Sequence, residues 1–203
     1  MSKPTLFTVP TANGQRASIA LEECKVSYDL QPVDLFTGEH RSEEMLRLNP
    51  FGRMPVLRLA DGKTIYGSLA IAMHAANTSG KLLPADADQD AFMHWIGIVM
   101  TDLVPAFAGQ FYLGTLAPEK FEWGIEWYAD IIARFLKGID DHLGTSEFFL
   151  PGGYSLVDVL MFPTAATSVA RMPEGLTPYP SINRWAGVVG ARSAVQRGMA
   201  TSS

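Results

Sequence analysis

The sequence predicts a small α/β domain followed by an all-helical one, an α/β plus all-α chain of 203 residues. Three observations carry this. Up to Ser79, short β-rich runs alternate with helical ones in the order β-α-β-α-β-β-α. Within that order Asp61-Gly62, a strong hairpin signal, joins Val56-Leu57-Arg58-Leu59 to Thr64-Ile65-Tyr66. Beyond Pro84 the strand signal disappears and apolar residues recur at helical spacing.

Each element has a local reason. Thr5-Leu6-Phe7-Thr8-Val9 is a β-rich run, and Pro10-Thr11-Ala12-Asn13-Gly14 is turn chemistry. Ala17 to Cys24 reads as a helix with Glu22-Glu23 on its polar side, and Tyr28 to Leu35 as a second strand. Ser42 to Leu48 is a short helix. Pro55 then opens the third strand, where proline is tolerated at a first position or an edge. Ser68 to Ala76 closes the first domain, assigned to residues 1–80. Lys81-Leu82-Leu83-Pro84 and the acidic Ala85-Asp86-Ala87-Asp88 read as a linker, so the helical domain is placed at 88–203. Its first helix carries Phe92, Trp95, Ile96, Val99 and Leu103, with Pro105 expected to kink or end it. Its second carries Phe121, Ile125, Tyr128, Ile132, Phe135, Ile139 and Leu143. Ser155 with Asp158 three residues on is a capping box, structural in role. Two short helices, Ile182 to Val189 and Ser193 to Met199, complete the chain.

Composition narrows the function classes. A net charge of −5 without a basic cluster argues against nucleic acid. No run of about 18 apolar residues marks a membrane span. Met1-Ser2-Lys3-Pro4 lacks a signal peptide's apolar core, and one cysteine suits a reducing compartment, so a cytoplasmic location is expected.

Taken together, Pro10-Thr11-Ala12-Asn13-Gly14, Ala20-Leu21-Glu22-Glu23, Asn49 through Leu57, Ser68 with the helix behind it, and Gly153-Tyr154-Ser155-Leu156-Val157-Asp158 resemble the cytosolic glutathione transferase superfamily. The resemblance runs from Leu6 to Gly198, and the Pro-Thr-x-Asn-Gly loop looks most like the bacterial nu-class, disulfide-reductase-like branch. It implies a thioredoxin-like first domain, a helical bundle second, glutathione as co-substrate, a homodimer, and a cis Met54–Pro55 bond that turns the Met54 backbone outward. It further implies that Ser68 holds the γ-glutamyl carboxylate beside Gly67, that Arg53 and His40 hold the glycine carboxylate, and that the Met54 backbone, presented by Pro55, pairs with the cysteinyl peptide. Thr11 and Asn13 would donate hydrogen bonds to the thiolate, lowering a thiol pKa that is otherwise about 8.5.

Local readings stand beside these. Ser68 serves equally as a helix cap, Arg53 and His40 as solvated loop residues, and Thr11-x-Asn13-Gly14 as a plain turn and cap. Phe107, Phe111, Tyr112 and Trp123 could line a pocket for a small apolar electrophile or form helical core. His74 and His94 lack metal-ligand spacing. One departure is Gly67, where the family usually carries a Glu that contacts the γ-glutamyl ammonium; by the same resemblance Asp102 of the partner subunit is the candidate to replace it. Three functions follow from the resemblance: a glutathione-dependent transferase or disulfide/peroxide reductase, a catalytically silent binding protein, or a glutathione-dependent isomerase or ether-cleaving enzyme. Cys24, on the core side of the first helix, reads as a small hydrophobe. Cys24→Ser is expected to retain full turnover; loss of activity at unchanged stability would place a second thiol in the reaction.

Overall fold

The computed structural model describes residues 3–201. By contact density the chain forms two compact units. One comprises the chain up to Leu83 together with the segment from Val189 onward, and the other runs from Pro84 to Val188.

The first unit is built on a four-stranded sheet. Strands β1 (Thr5–Thr8), β2 (Asp29–Pro32), β3 (Val56–Arg58) and β4 (Thr64–Tyr66) lie in the order β2-β1-β3-β4. β1 is parallel to β2 and antiparallel to β3, with Leu6 opposite both Leu30 and Leu57; β3 is antiparallel to β4. Helices α1 (Ala12–Glu23), α2 (Glu43–Leu48) and α3 (Ser68–Ser79) complete the thioredoxin-like arrangement. Successive strand residues point to opposite faces. Leu6 accordingly joins Ala17, Leu21, Cys24, Leu57, Ile71 and Ala75 in one core cluster, while Phe7 joins Val9, Val33, Met45 and Val56 in another. Cys24 is buried, and burial pushes its thiol pKa up, the opposite of a reactive thiol.

Two boundaries differ from the sequence reading. The second strand is confined to Asp29–Pro32 at the sheet edge, all four residues exposed, and Pro32 is tolerated there because edge strands need fewer donors. The first helix starts at Ala12, so Asn13 and Gly14 belong to its first turn. Gly14 is there for close approach: a Cβ would collide with the Val9 carbonyl oxygen and the Thr8 hydroxyl.

The sequence reading keeps residues 88–203 together, but the last helix packs within the sheet unit. On α9 (Ser193–Ala200), a Cβ at Gly198 would lie 2.6 Å from the Ile19 backbone, and the Ser18 hydroxyl donates to the Gly198 carbonyl at 2.7 Å. Arg192 adds a bidentate pair to Glu23 at 2.7 and 3.0 Å, and Arg197 donates to Glu22 at 2.7 Å. α1 is thereby held along its length.

In the second unit, α4 (Gln89–Gly97) continues through a wider π-type stretch, Ile98–Leu103, into α5 (Val104–Phe111). Pro105 does not end the helix: it lies directly behind the π-type stretch, which widens the hydrogen-bond ladder where the proline supplies no N–H. The rod Asp86–Leu116 is long and apolar enough by composition to cross a membrane. Its stripe of Phe92, Ile96, Val99, Leu103 and Ala106 is buried, and the rod packs on α6 (Glu122–Thr145) and α7 (Leu156–Pro163). Helix α8 (Pro180–Gly190) follows and carries the fully buried Trp185. The capping box at α7 is formed, and Asp158 does more than cap. One carboxylate oxygen accepts from the Ser155 N–H at 2.8 Å, the other from Trp185 Nε1 at 2.8 Å and from the Phe149 N–H at 3.4 Å. Burial pushes the carboxyl pKa up, opposed by these donors. Asp158→Ala leaves the donors of Ser155, Phe149 and Trp185 without an acceptor. It is expected to lower unfolding free energy by about 3 kcal/mol or more in urea denaturation, with Asp158→Asn costing less.

Candidate functional site

β1 and β4 are each antiparallel to β3, so they run in the same direction. The helices that follow them, α1 and α3, therefore begin at the same end of the sheet. Their first turns touch: the Ser68 hydroxyl donates to Asn13 Oδ1 at 3.3 Å, joining residues 55 apart in sequence. Each helix start presents N–H groups that its own helix leaves unpaired, and each carries the positive end of a helix dipole.

The residues at these starts divide the work. Thr11 is the N-cap of α1, and its hydroxyl oxygen accepts from the Gly14 N–H at 3.3 Å. Its hydroxyl hydrogen is not consumed by that bond and remains available to donate. The cap and the donor readings of Thr11 are therefore compatible. Asn13 is exposed, and its Oδ1 also accepts from Arg16 Nη1 at 2.8 Å. Arg16 is 1% exposed, and burial pulls its guanidinium pKa down to about 10, which keeps it charged at neutral pH. At α3, Gly67 occupies the N-cap without a side-chain cap bond, and Ser68 behind it is buried.

The third component is the loop before β3. Asn49, 1% exposed, holds it with three bonds: Nδ2 to the Arg53 carbonyl at 2.7 Å, Oδ1 from the Phe51 N–H at 3.1 Å, and its own carbonyl from the Gly52 N–H at 3.0 Å. Gly52 takes φ +57°, the left-handed region that favours glycine. The loop leads into a Met54–Pro55 peptide bond that is cis. The Pro55 carbonyl accepts from the Gly67 N–H at 3.1 Å, so this loop and the start of α3 are tied together. Neither the N–H nor the carbonyl of Met54 is hydrogen-bonded among the described residues. Such a backbone edge can pair with an extended peptide.

Thr11, Asn13, Met54, Pro55, Gly67 and Ser68 are thus brought to one end of the sheet. Arg53 is exposed on the adjoining loop. His40 lies half-buried in the turn Glu39–Arg41, whose backbone passes beside Gly52, and its buried Nδ1 has no partner among the described residues. In the second unit Phe107 is half-buried, while Phe111 and Tyr112 are exposed. An open groove of about 510 Å³ in that unit is lined by other residues, among them Asp102, Pro105, Trp127, Tyr128 and Phe135. Among the described residues no group of three His, Cys, Asp or Glu side chains is placed to hold a metal ion. Sequence reasoning passed over Arg16, although a charged residue one position before the apolar Ala17-Ser18-Ile19-Ala20-Leu21 run was a visible flag.

Comparison with known proteins agrees with this geometry. The sequence profile of the family described as "Glutathione S-transferase, N-terminal domain" matches residues 12–78. The disulfide-bond oxidoreductase YfcG of Escherichia coli is 26% identical over 187 residues, 89% of this chain and 86% of that protein. A glutathione transferase from Burkholderia graminis, solved with two glutathione molecules bound per subunit, superposes with a TM-score of 0.87 at 27% identity, covering 98% of this chain and 88% of that one. A glutathione transferase homologue from Lodderomyces elongisporus shares the fold over 100% of both chains, with a TM-score of 0.91 at 23% identity.

The stability of this loop rests on Asn49. Asn49→Ala removes the partners of the Arg53 carbonyl and the Phe51 N–H and is expected to cost about 1–3 kcal/mol in urea denaturation. Asn49→Asp, which keeps the acceptor alone, should fall between wild type and Asn49→Ala.

Proposed function

The chain belongs to the cytosolic glutathione transferase superfamily, and we propose that it is a glutathione-dependent enzyme acting by conjugation or by disulfide or peroxide reduction. The observation that carries this reading is the meeting of the α1 and α3 N-termini through Asn13 and Ser68. Glutathione supplies the thiol, whose thiolate is the nucleophile toward a disulfide, a peroxide or a small apolar electrophile. Ser68 and the unpaired N–H groups opening α3 hold the γ-glutamyl carboxylate. The free N–H and carbonyl of Met54 pair with the cysteinyl peptide, presented by Pro55. Arg53 and His40 hold the glycine carboxylate. Thr11 and Asn13 donate to the thiolate at the start of α1, where the helix dipole adds to their effect. Phe107, Phe111 and Tyr112 are assigned to the apolar side of the second substrate. The likeness to a disulfide-bond oxidoreductase favours the reductase variant. We also take the protein to be cytoplasmic and homodimeric; sedimentation equilibrium tests the latter.

Gly67 favours a second reading, a silent binding protein. No carboxylate stands there for the γ-glutamyl ammonium, and the φ of +91° suits glycine. Calorimetric titration with reduced and oxidised glutathione separates the readings: no binding of either at millimolar concentration favours the silent protein. An isomerase or ether-cleaving enzyme on this fold is separated by product analysis.

Two substitutions sharpen the test. Thr11→Ala is expected to lower kcat more than it raises the Kd for glutathione, because the bond strengthens as charge develops on sulfur. The loss should stay below the roughly 10²–10³-fold that one donor supplies in a dry site, since Asn13 remains. Full turnover in Thr11→Ala would assign thiol activation to another group. Gly67→Glu should tighten glutathione binding about tenfold while the positive-φ backbone at this position lowers stability by about 1–3 kcal/mol.

A further inference from the structure

Arg16 is the least expected residue of the site. It is a charged side chain, 1% exposed, one turn along α1 from Asn13 and followed by the buried run Ala17 to Leu21. A guanidinium has five donors and no acceptor. The Asn13 atom that faces Arg16 Nη1 at 2.8 Å is therefore the carboxamide oxygen. The Ser68 hydroxyl reaches the same oxygen at 3.3 Å. With two donors on that oxygen, the Asn13 Nδ2 hydrogens point away from both, and the side chain presents donors to the exposed side of the helix start.

Ser68 is a weaker holder than Arg16. Its hydroxyl has one hydrogen, spent here on Asn13. A carboxylate at the start of α3 competes for that same hydrogen. Once it is taken, Arg16 is the donor that remains on that oxygen among the described residues, keeping the carboxamide from turning over and offering its oxygen to a thiolate.

Resting on the reading of Asn13 as a donor to the glutathione thiolate, we propose that Arg16 is a positioning residue, which fixes the orientation of the Asn13 carboxamide so that its NH₂ faces the thiol. Arg16 itself does not touch the substrate; it acts through Asn13 and keeps the thiol end of the site in register when the carboxylate end is filled.

The test compares Arg16→Met, Arg16→Lys and Asn13→Ala with wild type. The readouts are the thiolate fraction of bound reduced glutathione, from its ultraviolet absorbance across pH, the kcat and KM for glutathione, and the side-chain amide NMR signals of Asn13 in the unliganded protein. Arg16→Met is expected to reduce the bound thiolate fraction at neutral pH about tenfold, equivalent to a tenfold change in acid dissociation. It should lower kcat in proportion, leave KM nearly unchanged, and broaden or shift the Asn13 amide pair. Arg16→Lys, which restores a charged donor, should recover most of both. Retention of the thiolate fraction and of the Asn13 signals in Arg16→Met, with loss of thiolate in Asn13→Ala, overturns the role of Arg16 alone. An unchanged thiolate fraction in Asn13→Ala overturns the donor reading of Asn13 and the proposal with it. If Arg16→Met does not fold, Asn13→Asp decides. It keeps an oxygen for Arg16 and Ser68 but turns an oxygen outward, so it should melt no lower than wild type while suppressing the bound thiolate further than Asn13→Ala. Wild-type thiolate in Asn13→Asp, or a large drop in melting temperature, overturns the proposed orientation.

Discussion

The close packing of α1 against its neighbours fixes where the candidate site stands. Gly14 lets the first turn lie against the end of β1, where any side chain would meet the Val9 carbonyl. Gly198 does the same between α9 and the middle of α1, and the Arg192–Glu23 and Arg197–Glu22 pairs hold the far end. Surface ion pairs contribute little by themselves, although the Glu23 carboxylate is largely buried. Here they accompany a backbone contact too close for any residue but glycine, so they secure an orientation already set by packing. Thr11, Asn13 and Arg16 inherit that orientation because they belong to the same helix.

The site itself is assembled from donors with few formal charges. The chain carries a net charge of −5, yet the site collects two helix N-termini, two hydroxyls, one carboxamide and a buried guanidinium. Helix N-termini favour anions through their unpaired N–H groups and aligned dipoles, without a mobile side chain to order. On the proposed reading, this suits the two carboxylates and the ionising thiol of glutathione. It suits an ammonium poorly, which is why the bare Gly67 is the position where the binding and catalytic readings diverge.

The loop from Asn49 to Pro55 links the parts. Asn49 spends its carbonyl and its whole side chain on three backbone groups of the loop, and the Pro55 carbonyl takes the Gly67 N–H. The free backbone edge at Met54 is thus held beside the start of α3 by bonds that involve neither α1 nor the sheet ladder. The same economy appears in the helical unit, where Asp158 satisfies the start of α7, the Phe149 N–H and the Trp185 ring nitrogen at once. In each case one short polar side chain satisfies more than one polar group of the segment it holds.

Local chemistry was enough to place the strands, the Asp61-Gly62 hairpin, the Ser155–Asp158 cap and the change to helix after Pro84, because turn residues, apolar periodicity and caps act over a few neighbouring positions. The motifs around Pro55 and Ser68 were legible as a family resemblance, and with them the cis bond; the roles given to the residues of the candidate site rest on that resemblance. The start of α1 was misread because Asn13-Gly14 carries turn chemistry; only the approach of β1 shows that Gly14 is there for space. The grouping of α9 with the sheet was equally hidden, since Gly198 has meaning only against Ile19, far away in sequence. Arg16 shows the same division within the site. The sequence determined that a charge lies beside an apolar helical run, but only the fold, by burying it and bringing Ser68 to Asn13, decided which atom of Asn13 it faces: a hydrogen bond's direction depends on partners that chain order does not reveal.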